Sequence, residues 1–411
     1  MYSRFVPKYI LFMSPSTILD DRLGTDTPDL VCFSHLRWNF VYQRPQHLLS
    51  RFAAQRRVFY VEEPIFIDGK SHLKHSRGNS GVDLVVPHLQ HSDDAAETLK
   101  TLIDDFFQEN QIHFYALWYY TPMQLPWTSH LKPVAVVYDC MDELSAFKGA
   151  PPELGKRELE LLQWADLVFT GGHSLYEAKQ DQHQNIYAFP SSIDAPHFAR
   201  ARTITVEPED QMSIPGVRLG FFGVIDERMD LELVAGMAAA RPDWHLVMIG
   251  PVVKIDPATL PQLANIHYLG MKTYDELPTY MAGWDIAMLP FVRNDSTRFI
   301  SPTKTPEYLA AGLPVVSTSI RDVIRPYGNA GVVQIADTPE EFVAAVERAL
   351  AEDASQRLKR VDAMLSQTSW SRTWGRMAEL LEDVVQRRTK PKAVQHGTGK
   401  LAAAAVASGH A

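Results

Sequence analysis

The sequence predicts an α/β protein built from two doubly wound domains that face each other across a cleft. Short apolar runs rich in β-branched residues alternate with helical segments along most of the chain, which is typical of parallel sheets covered by helices. This alternation stops at about residues 195–213, where apolar residues are scarce, and then restarts. A chain of 411 residues is also too long for one small core, so two domains are favoured.

The composition is that of an ordinary soluble protein, with 45% hydrophobic and 22% charged residues. The net charge of −9 argues against a general nucleic-acid binder. Cys32 and Cys140 lie in apolar, strand-like runs, so we expect buried, reduced thiols and a reducing compartment. No segment approaches the roughly 20 apolar residues of a membrane-spanning helix. We therefore expect a cytoplasmic protein, attached at most to a membrane surface.

The first domain is predicted to span residues 28–195, after an N-terminal extension at residues 1–27 that lacks periodicity. Residues 68–81 are polar and contain glycine, so they are predicted to form a loop. The predicted strands span residues 29–34, 58–62, 82–86, 114–118, 134–138, 167–170 and 186–189. The predicted helices span residues 44–55, 95–109, 152–165 and 174–182. Ser174, followed by Glu177 three residues later, predicts a capping box at the start of the last of these helices.

The second domain is predicted to span residues 214–368, after a linker at residues 196–213. Its predicted strands span residues 218–222, 245–249, 266–269, 286–289, 314–318 and 332–335. Its predicted helices span residues 230–240, 274–283, 305–311, 339–351 and 354–366. Ligands of such sheets bind beyond the carboxyl ends of the strands, so we expect the binding site between the two domains.

The end of the chain is predicted to form one more helix, at residues 369–387. Trp370, Trp374 and Met377 lie on one apolar side of this helix, which should pack against the rest of the protein. Residues 388–411 have low complexity and are predicted to be a disordered tail.

The most informative stretch is residues 298–318, RFISPTKTPEYLAAGLPVVST. It predicts a loop, a short helix with Thr305 as its N-cap, and a buried strand. A loop that opens onto a helix N-terminus favours anion binding, and Lys304 adds a positive charge there. Glu307 can accept hydrogen bonds from a sugar diol. Together these residues suit a diphosphate joined to a ribose.

The run SPTKTPEYLAAGLPVVST resembles the nucleotide-sugar signature of GT-B glycosyltransferases, in particular the GT4-like group with a glycosyltransferase family 1 domain. Residues 29–386 are compatible with that fold, and residues 31–62 and 134–194 resemble bacterial enzymes of cell-surface polysaccharide assembly. The resemblance implies two Rossmann-like domains and a last helix that crosses back to the first domain. It further implies a nucleotide-sugar donor, no metal, a glycan or lipid-linked acceptor, and contact with the inner face of the membrane.

The resemblance also implies which residues bind the donor. The expected donor-site residues are Gly223, Arg228, Gly270, Met271, Arg298, Ser301, Lys304, Thr305 and Glu307. One position departs from the family pattern: relatives often carry two glutamates eight positions apart, and Phe299 stands where the first is expected. That glutamate normally lies near the transferred sugar, so Phe299 bears on sugar identity and stereochemistry.

The first domain is expected to bind the acceptor and to supply a general base. The loop at residues 34–46 is unusually rich in polar and aromatic residues. Its candidate acceptor residues are Arg37, Trp38, Arg44 and Gln46, and His35 is a candidate catalytic residue. Asp139 and Asp142 follow the strand at 134–138, where a carboxylate could deprotonate an acceptor hydroxyl. The sequence does not separate these two aspartates.

The expected function is therefore transfer of a sugar from a nucleotide-sugar to a glycan or lipid-linked acceptor. Two alternatives remain open: a non-hydrolysing nucleotide-sugar 2-epimerase, and a catalytically weak scaffold that binds a nucleotide-sugar. Zinc-ligand spacings, a Walker A loop, GxGxxG and GxSxG are all absent from the sequence. Arg51, Arg56 and Arg57, near the end of the first helix, are candidate contacts for a membrane surface.

Overall fold

A computed structural model describes residues 27–91 and 94–390, which form two mainly parallel sheets covered by helices. The predicted fold class is confirmed. We call the first sheet with its helices the first domain, and the second sheet with its helices the second domain. The predicted N-terminal extension lies outside the described residues except for Thr27, and the predicted tail does so from residue 391 onward.

Within the described part of the chain, the first sheet has nine strands in the order β3-β5-β2-β1-β6-β7-β8-β9, with β4 paired to β5. The strands are β1 Asp29–Phe33, β2 Val58–Val61, β3 Ile65–Ile67, β4 His72–Arg77, β5 Asp83–Gln90, β6 Tyr115–Tyr119, β7 Ala135–Cys140, β8 Leu167–Thr170 and β9 Ile186–Ala188. All pairings are parallel except that of β4 with β5. The strand order reverses at β1, so the loop after β1 lies at a topological switch point.

Helices cover both faces of this sheet. They are α1 Arg44–Ala53, α2 Ala95–Glu109, α3 Leu125–Thr128, α4 Leu154–Trp164 and α5 His173–Lys179. Helices α2, α4 and α5 bury their apolar faces in one core cluster, and α1 contributes Leu48, Leu49 and Phe52 to the cluster on the opposite face. Cys32 and Cys140 are buried free thiols, as predicted.

The second sheet has six parallel strands in the order β12-β11-β10-β13-β14-β15. They are β10 Val217–Phe222, β11 Trp244–Ile249, β12 Ile266–Gly270, β13 Ile286–Leu289, β14 Val315–Ser317 and β15 Val333–Ile335. The strand order reverses between β10 and β13, which places the loop after β10 at the second switch point. The helices of this half are α6 Ala195–Ala199, α7 Glu209–Met212, α8 Leu231–Ala240, α9 Leu277–Met281, α10 Lys304–Ala310, α11 Arg321–Val323, α12 Pro339–Ala351 and α13 Ala354–Leu365.

The last helix, α14 Trp370–Thr389, returns to the first domain. Its residues Trp370, Met377, Leu381 and Val384 are buried in the same core cluster as α1. The predicted return is confirmed, but the helix includes residues 388–389, which were assigned to the tail. None of the helices in residues 27–91 and 94–390 has an apolar stretch that could cross a bilayer.

Three sequence predictions about elements are wrong. Residues 68–81 are not all loop, because His72–Arg77 pairs antiparallel with β5; its side chains are mostly exposed, so no apolar alternation marks it. The segment predicted as a linker contains α6 and α7, and its few apolar residues are used: Phe198 is fully buried in the second core. The helix predicted from residue 274 begins at Leu277, which leaves residues 271–276 as a loop.

Candidate active site

A cavity of about 760 Å³ lies between the two domains. The loops that follow β1 and β7 line it from the first domain, and the loops that follow β10 and β12 line it from the second, together with the start of α10. The loops after β1 and β10 leave the two switch points, which is where doubly wound sheets bind ligands.

Lys304 and Gly223 fit against each other on the second-domain wall. Gly223 has a φ of +136°, a conformation that favours glycine. A Cβ at this position would lie 2.1 Å from Cε and 2.6 Å from Nζ of Lys304. The lysine side chain therefore lies directly on the glycine backbone, and any side chain at position 223 would displace it.

Lys304 and Glu307 project from the first turn of α10 and line the cavity. Burial, followed by the nearby Arg228, lowers the pKa of Lys304 to about 8, although Glu307, Asp226 and Asp142 oppose this shift. Burial raises the pKa of Glu307 to about 7, and Lys304 opposes that shift. Neither side chain forms an ion pair with any residue in the described part of the chain. Both side chains therefore line the cavity without an ion-pair partner among the described residues.

Arg228 is the second cation on this wall. Burial is the largest single effect and lowers its pKa, but the hydrogen bonds to Asp226 and the negative charges of Asp226, Asp142 and Glu227 together raise it. Its Nε lies 3.0 Å from Oδ1 and its Nη2 lies 2.6 Å from Oδ2 of Asp226. The guanidinium carbon is also 5.6 Å from the centre of the Phe147 ring, which belongs to the first domain. Arg228 is thus held in place beside Lys304.

The structure separates the two candidate bases. Asp139 is fully buried and does not line the cavity; Arg44 donates to both of its oxygens, at distances from 2.8 to 3.1 Å. Asp142 lines the cavity, and its carboxylate has no hydrogen bond or ion pair with a described residue. Burial raises the pKa of Asp142, as a general base requires. Of the two candidate bases, Asp142 is therefore the one that lines the cavity, whereas Asp139 is paired with Arg44.

The loop after β1 is braced by its own polar side chains. Gln46 donates from Nε2 to the carbonyl oxygens of Trp38, at 2.6 Å, and Val41, at 3.0 Å. The Trp38 amide donates to Glu62. Trp38, Arg44 and Gln46 all line the cavity, as expected for acceptor residues, but the polar groups of Arg44 and Gln46 are already used within the protein.

Several predicted site residues do not line the cavity. These residues are His35, Arg37, Gly270, Arg298 and Thr305. Burial, followed by the charge of Lys254, lowers the pKa of His35 to about 4, so its imidazole is neutral. Arg37 donates to Glu62 and to the Glu63 carbonyl instead.

Thr305 is not the N-cap of α10. That position is held by Thr303, while Thr305 is fully buried and its amide donates to the Pro302 carbonyl. Gly223, Arg228, Met271, Ser301, Lys304 and Glu307 are the predicted donor residues that do line the cavity.

Phe299 does not occupy the donor site. It packs, partly buried, against the core cluster of the first domain, and Arg298 lies 5.1 Å from its ring. Its neighbours Ile300 and Ser301 line the cavity instead. The aromatic residue therefore joins the two domains at the position where relatives often carry a glutamate.

The sequence prediction missed the loop at residues 271–276 and its partners. Tyr274 lies with its ring centre 4.1 Å from that of His197, in a stacked arrangement, and 4.5 Å from that of Tyr42. All three line the cavity, so this aromatic group connects the loop after β1 to the second domain. The aromatic and charged composition of the run MKTYDE was the available signal, but only Met271 was predicted to bind the donor, and residues 274–276 were assigned to a helix.

The predicted capping box at Ser174 is also absent. Helix α5 has Gly172 at its N-cap, and the Ser174 amide donates instead to Asp322 of the second domain, at 3.0 Å. An acid from the other domain takes the place of the local cap.

Comparison with known proteins agrees with this architecture. Residues 217–352 match the family described as Glycosyl transferases group 1. The chain is 25% identical over 252 residues to a Bacillus subtilis (strain 168) protein, TuaH, whose name assigns it provisionally to teichuronic acid biosynthesis as a glycosyltransferase. That match covers 57% of this chain and 63% of the relative, so it spans less than two thirds of the relative's length.

Solved structures show the same fold at low identity. Sucrose-phosphate synthase from Thermosynechococcus elongatus superposes with a TM-score of 0.67 at 12% identity, over 88% of this chain and 100% of that one. Anabaena HepE, solved in complex with UDP and glucose, superposes with a TM-score of 0.62 at 14% identity, over 86% and 99% of the two chains. Residues 217–352 thus match a glycosyl transferases group 1 domain, and the chain shares the GT-B fold of these solved structures.

Proposed function

We propose that the protein is a glycosyltransferase that moves a sugar from a nucleotide-sugar to a glycan or lipid-linked acceptor. The observation that carries this proposal is the placement of Lys304 and Glu307 on one wall of the interdomain cavity, with Asp142 on the other. A cation and a hydrogen-bond acceptor for the donor thus share one cavity with an unpaired carboxylate for the acceptor.

In the proposed reaction, Lys304 and Arg228 bind the diphosphate, and Glu307 accepts hydrogen bonds from the ribose. Asp142 takes the proton from the acceptor hydroxyl, the acceptor oxygen bonds to the sugar carbon, and the bond from that carbon to the diphosphate oxygen breaks. The nucleoside diphosphate leaves with the electron pair. Cationic groups fixed before the reaction stabilise the charge that develops on the leaving group.

Lys304 and Arg228 supply the stabilising positive charge in place of a metal ion, as the resemblance implies. An activity that survives a chelator such as EDTA is the expected result. Loss of activity with EDTA, restored by Mg²⁺ or Mn²⁺, would contradict this part of the proposal.

The similarity to TuaH supports a role in cell-surface polysaccharide synthesis. A lipid-linked acceptor would bring the enzyme to the inner face of the membrane. The three arginines considered for such contact do not support it, because each is engaged within the protein. Arg51 donates to the His47 carbonyl, Arg56 pairs with Glu382, and Arg57 pairs with Asp29.

Neither alternative is favoured by an observation in the structure. An epimerase needs no acceptor, so the aromatic first-domain wall and the unpaired Asp142 would have no role in it. The weak-scaffold alternative depended on Phe299, and that residue does not face the donor site.

A thermal-shift screen with UDP, GDP, dTDP and their sugars tests the proposal. A nucleotide at 100 times its Kd stabilises the folded state by about 2.7 kcal/mol, which raises Tm by several degrees. Lys304→Ala should abolish the shift, whereas Lys359→Ala, which alters an exposed lysine on α13, should preserve it. The absence of a shift with every nucleotide in the unmodified protein would refute the proposal.

A further inference from the structure

We propose that the acceptor unit entering this cavity is an uncharged sugar ring, bearing neither a phosphate nor a carboxylate. This inference rests on the proposed function and specifies its acceptor. It comes from the unequal distribution of charge between the two walls of the cavity. Among the described residues, the second-domain wall carries the positive charge that is open to the cavity, whereas the loops after β1 and β7 offer neutral and aromatic groups with the carboxylate of Asp142.

The cations that can contact a ligand lie on the second-domain wall. Lys304 has no ion-pair partner among the described residues, and Arg228 lies next to it, paired with Asp226 alone. Lys272 also lines this wall, and it is paired with Asp210. This wall suits the diphosphate of the donor, which uses its positive charge when the donor binds.

Arg44 is the one lysine or arginine among the described cavity-lining residues of the first domain, and it is fully engaged. It is 4% exposed. Its Nε and Nη2 donate to Asp139, and its Nη1 donates to the Phe189 carbonyl at 2.7 Å. To bind Arg44, a phosphate or carboxylate on the acceptor would have to break the buried Arg44–Asp139 ion pair. The free energy lost by leaving Asp139 unpaired exceeds the free energy gained from the new contact. Arg44 is therefore not available to an anionic acceptor.

The groups that remain on this wall are those that bind neutral sugars. Phe40 and Tyr42 are 41% and 44% exposed, although both are large hydrophobic residues. Aromatic faces pack against the apolar faces of sugar rings, and such exposed rings beside polar groups mark ligand sites. Asn39, Gln43 and Ser80 line the same wall and can hydrogen-bond hydroxyl groups without a charge.

Asp142 further favours a neutral acceptor sugar over an anionic one. Its carboxylate has no cationic partner within hydrogen-bonding distance among the described residues, and it lies beside the place where the reacting hydroxyl must come. A negative group on the same sugar ring would be repelled by it, and like charges across an interface exclude wrong partners. The shared fold does not dictate this property, since one structural neighbour is itself named for a sugar phosphate.

The test measures saccharide binding by isothermal titration, in the presence and absence of saturating UDP. Methyl glucoside and methyl N-acetylglucosaminide are compared with glucose 6-phosphate and methyl glucuronide. We expect the neutral sugars to bind about tenfold or more tightly than either anionic sugar. Equal or tighter binding of an anionic sugar would overturn the inference, and so would the absence of binding by both neutral sugars.

A charge-gain variant tests the cause. Asn39 is exposed and lines the cavity, so Asn39→Arg adds a free guanidinium without disturbing the core. Glucose 6-phosphate should then bind about tenfold or more tightly, while the matched neutral variant Asn39→Gln should show no gain. An unchanged preference in Asn39→Arg would contradict the charge argument. UDP binding is recorded in the same titrations, so failure of the donor site is seen separately from failure of this inference.

Discussion

Asp322 of the second domain accepts hydrogen bonds from both the backbone amide and the hydroxyl group of Ser174 in the first domain. The contact is tight, because a Cβ on Gly172 would lie 2.2 Å from the other Asp322 carboxylate oxygen. Arg321 and Arg325 pair with Glu177 on the next turn of α5. These contacts join the two domains at one edge of the cavity, apart from the chain connections between them.

Removing this contact should loosen domain closure. Asp322 is 5% exposed, so Asp322→Ala leaves the Ser174 groups without their partner at a cost of about 1–3 kcal/mol. We expect a larger radius of gyration by small-angle X-ray scattering and a higher KM for the donor. Asp383→Ala, at an exposed position on α14, is the matched control and should change neither. An unchanged radius and KM in Asp322→Ala would show that the contact does not hold the domains together.

Substitution of Asp139, within β7, and of Asp142, just after it, should have different effects. Asp142→Asn removes the proposed base, so kcat should fall by about 10²–10⁴ while Tm stays close to that of the unmodified protein.

Asp139→Asn instead leaves the buried Arg44 without its counter-ion, which should destabilise the fold by about 3–5 kcal/mol. Thermal unfolding and steady-state kinetics on both variants separate the roles. A stable but inactive Asp139→Asn, together with an active Asp142→Asn, would reverse the assignment.

The pH dependence of stability should show the titration of Glu307. Its pKa in the folded state is raised from 4.5 to about 7, so the folded state binds more protons than the unfolded state between these values. Stability contributed by this group is therefore present below about pH 4.5 and is lost as the pH rises to 7.

Tm measured across that range in Glu307→Gln, relative to the unmodified protein, should lack this loss. Parallel profiles for the two proteins would contradict the raised pKa.

Lys304 should make stability change with pH in the opposite direction, and at higher pH. Its pKa in the folded state is lowered from 10.5 to about 8, so stability should rise between these values as the unfolded state releases its proton. UDP binding needs the protonated amine, so the apparent affinity should fall as the pH rises above about 8. Titrations at pH 7 and pH 9.5 check this, and Lys304→Arg, which stays charged, should remove the fall.

Placing at position 299 the glutamate that relatives often carry should not increase turnover. Phe299→Glu places a carboxylate against the apolar core of the first domain, so Tm should fall and turnover should not rise. Phe299→Leu keeps the apolar contact and should remain close to the unmodified protein in both measurements. A higher kcat in Phe299→Glu would show that residue 299 reaches the donor sugar after all.

The elements that the sequence predicted well are those whose limits are set locally. Helices α2 and α12 begin and end at the predicted residues, since Asp94 and Thr338 cap them through their own side chains. Strand β4 was missed because five of its six residues are exposed, so its sequence has the polarity of a loop. Lys304 and Glu307 were found because they belong to one short run on one helix turn.

The rest of the site depends on contacts that no local pattern reports. Arg44 and Asp139 are 95 residues apart in the sequence. Both looked like ligand-binding groups, and it is their ion pair that makes them unavailable to a ligand. Phe299 and Asp322 contact a domain that lies more than 100 residues earlier in the chain. Sequence reasoning therefore identified Lys304 and Glu307 as cavity residues, but it could not determine which polar groups remain unpaired.

The return of α14 to the first domain has a consequence for how the protein is made. On the ribosome, the apolar surface formed by α1 and its neighbours is complete long before Trp370 and Met377 emerge to cover it. The whole second domain is translated in between, which at about 5–20 residues per second takes on the order of ten seconds or more. During that interval the nascent first domain exposes this apolar surface, and we expect a chaperone to bind there.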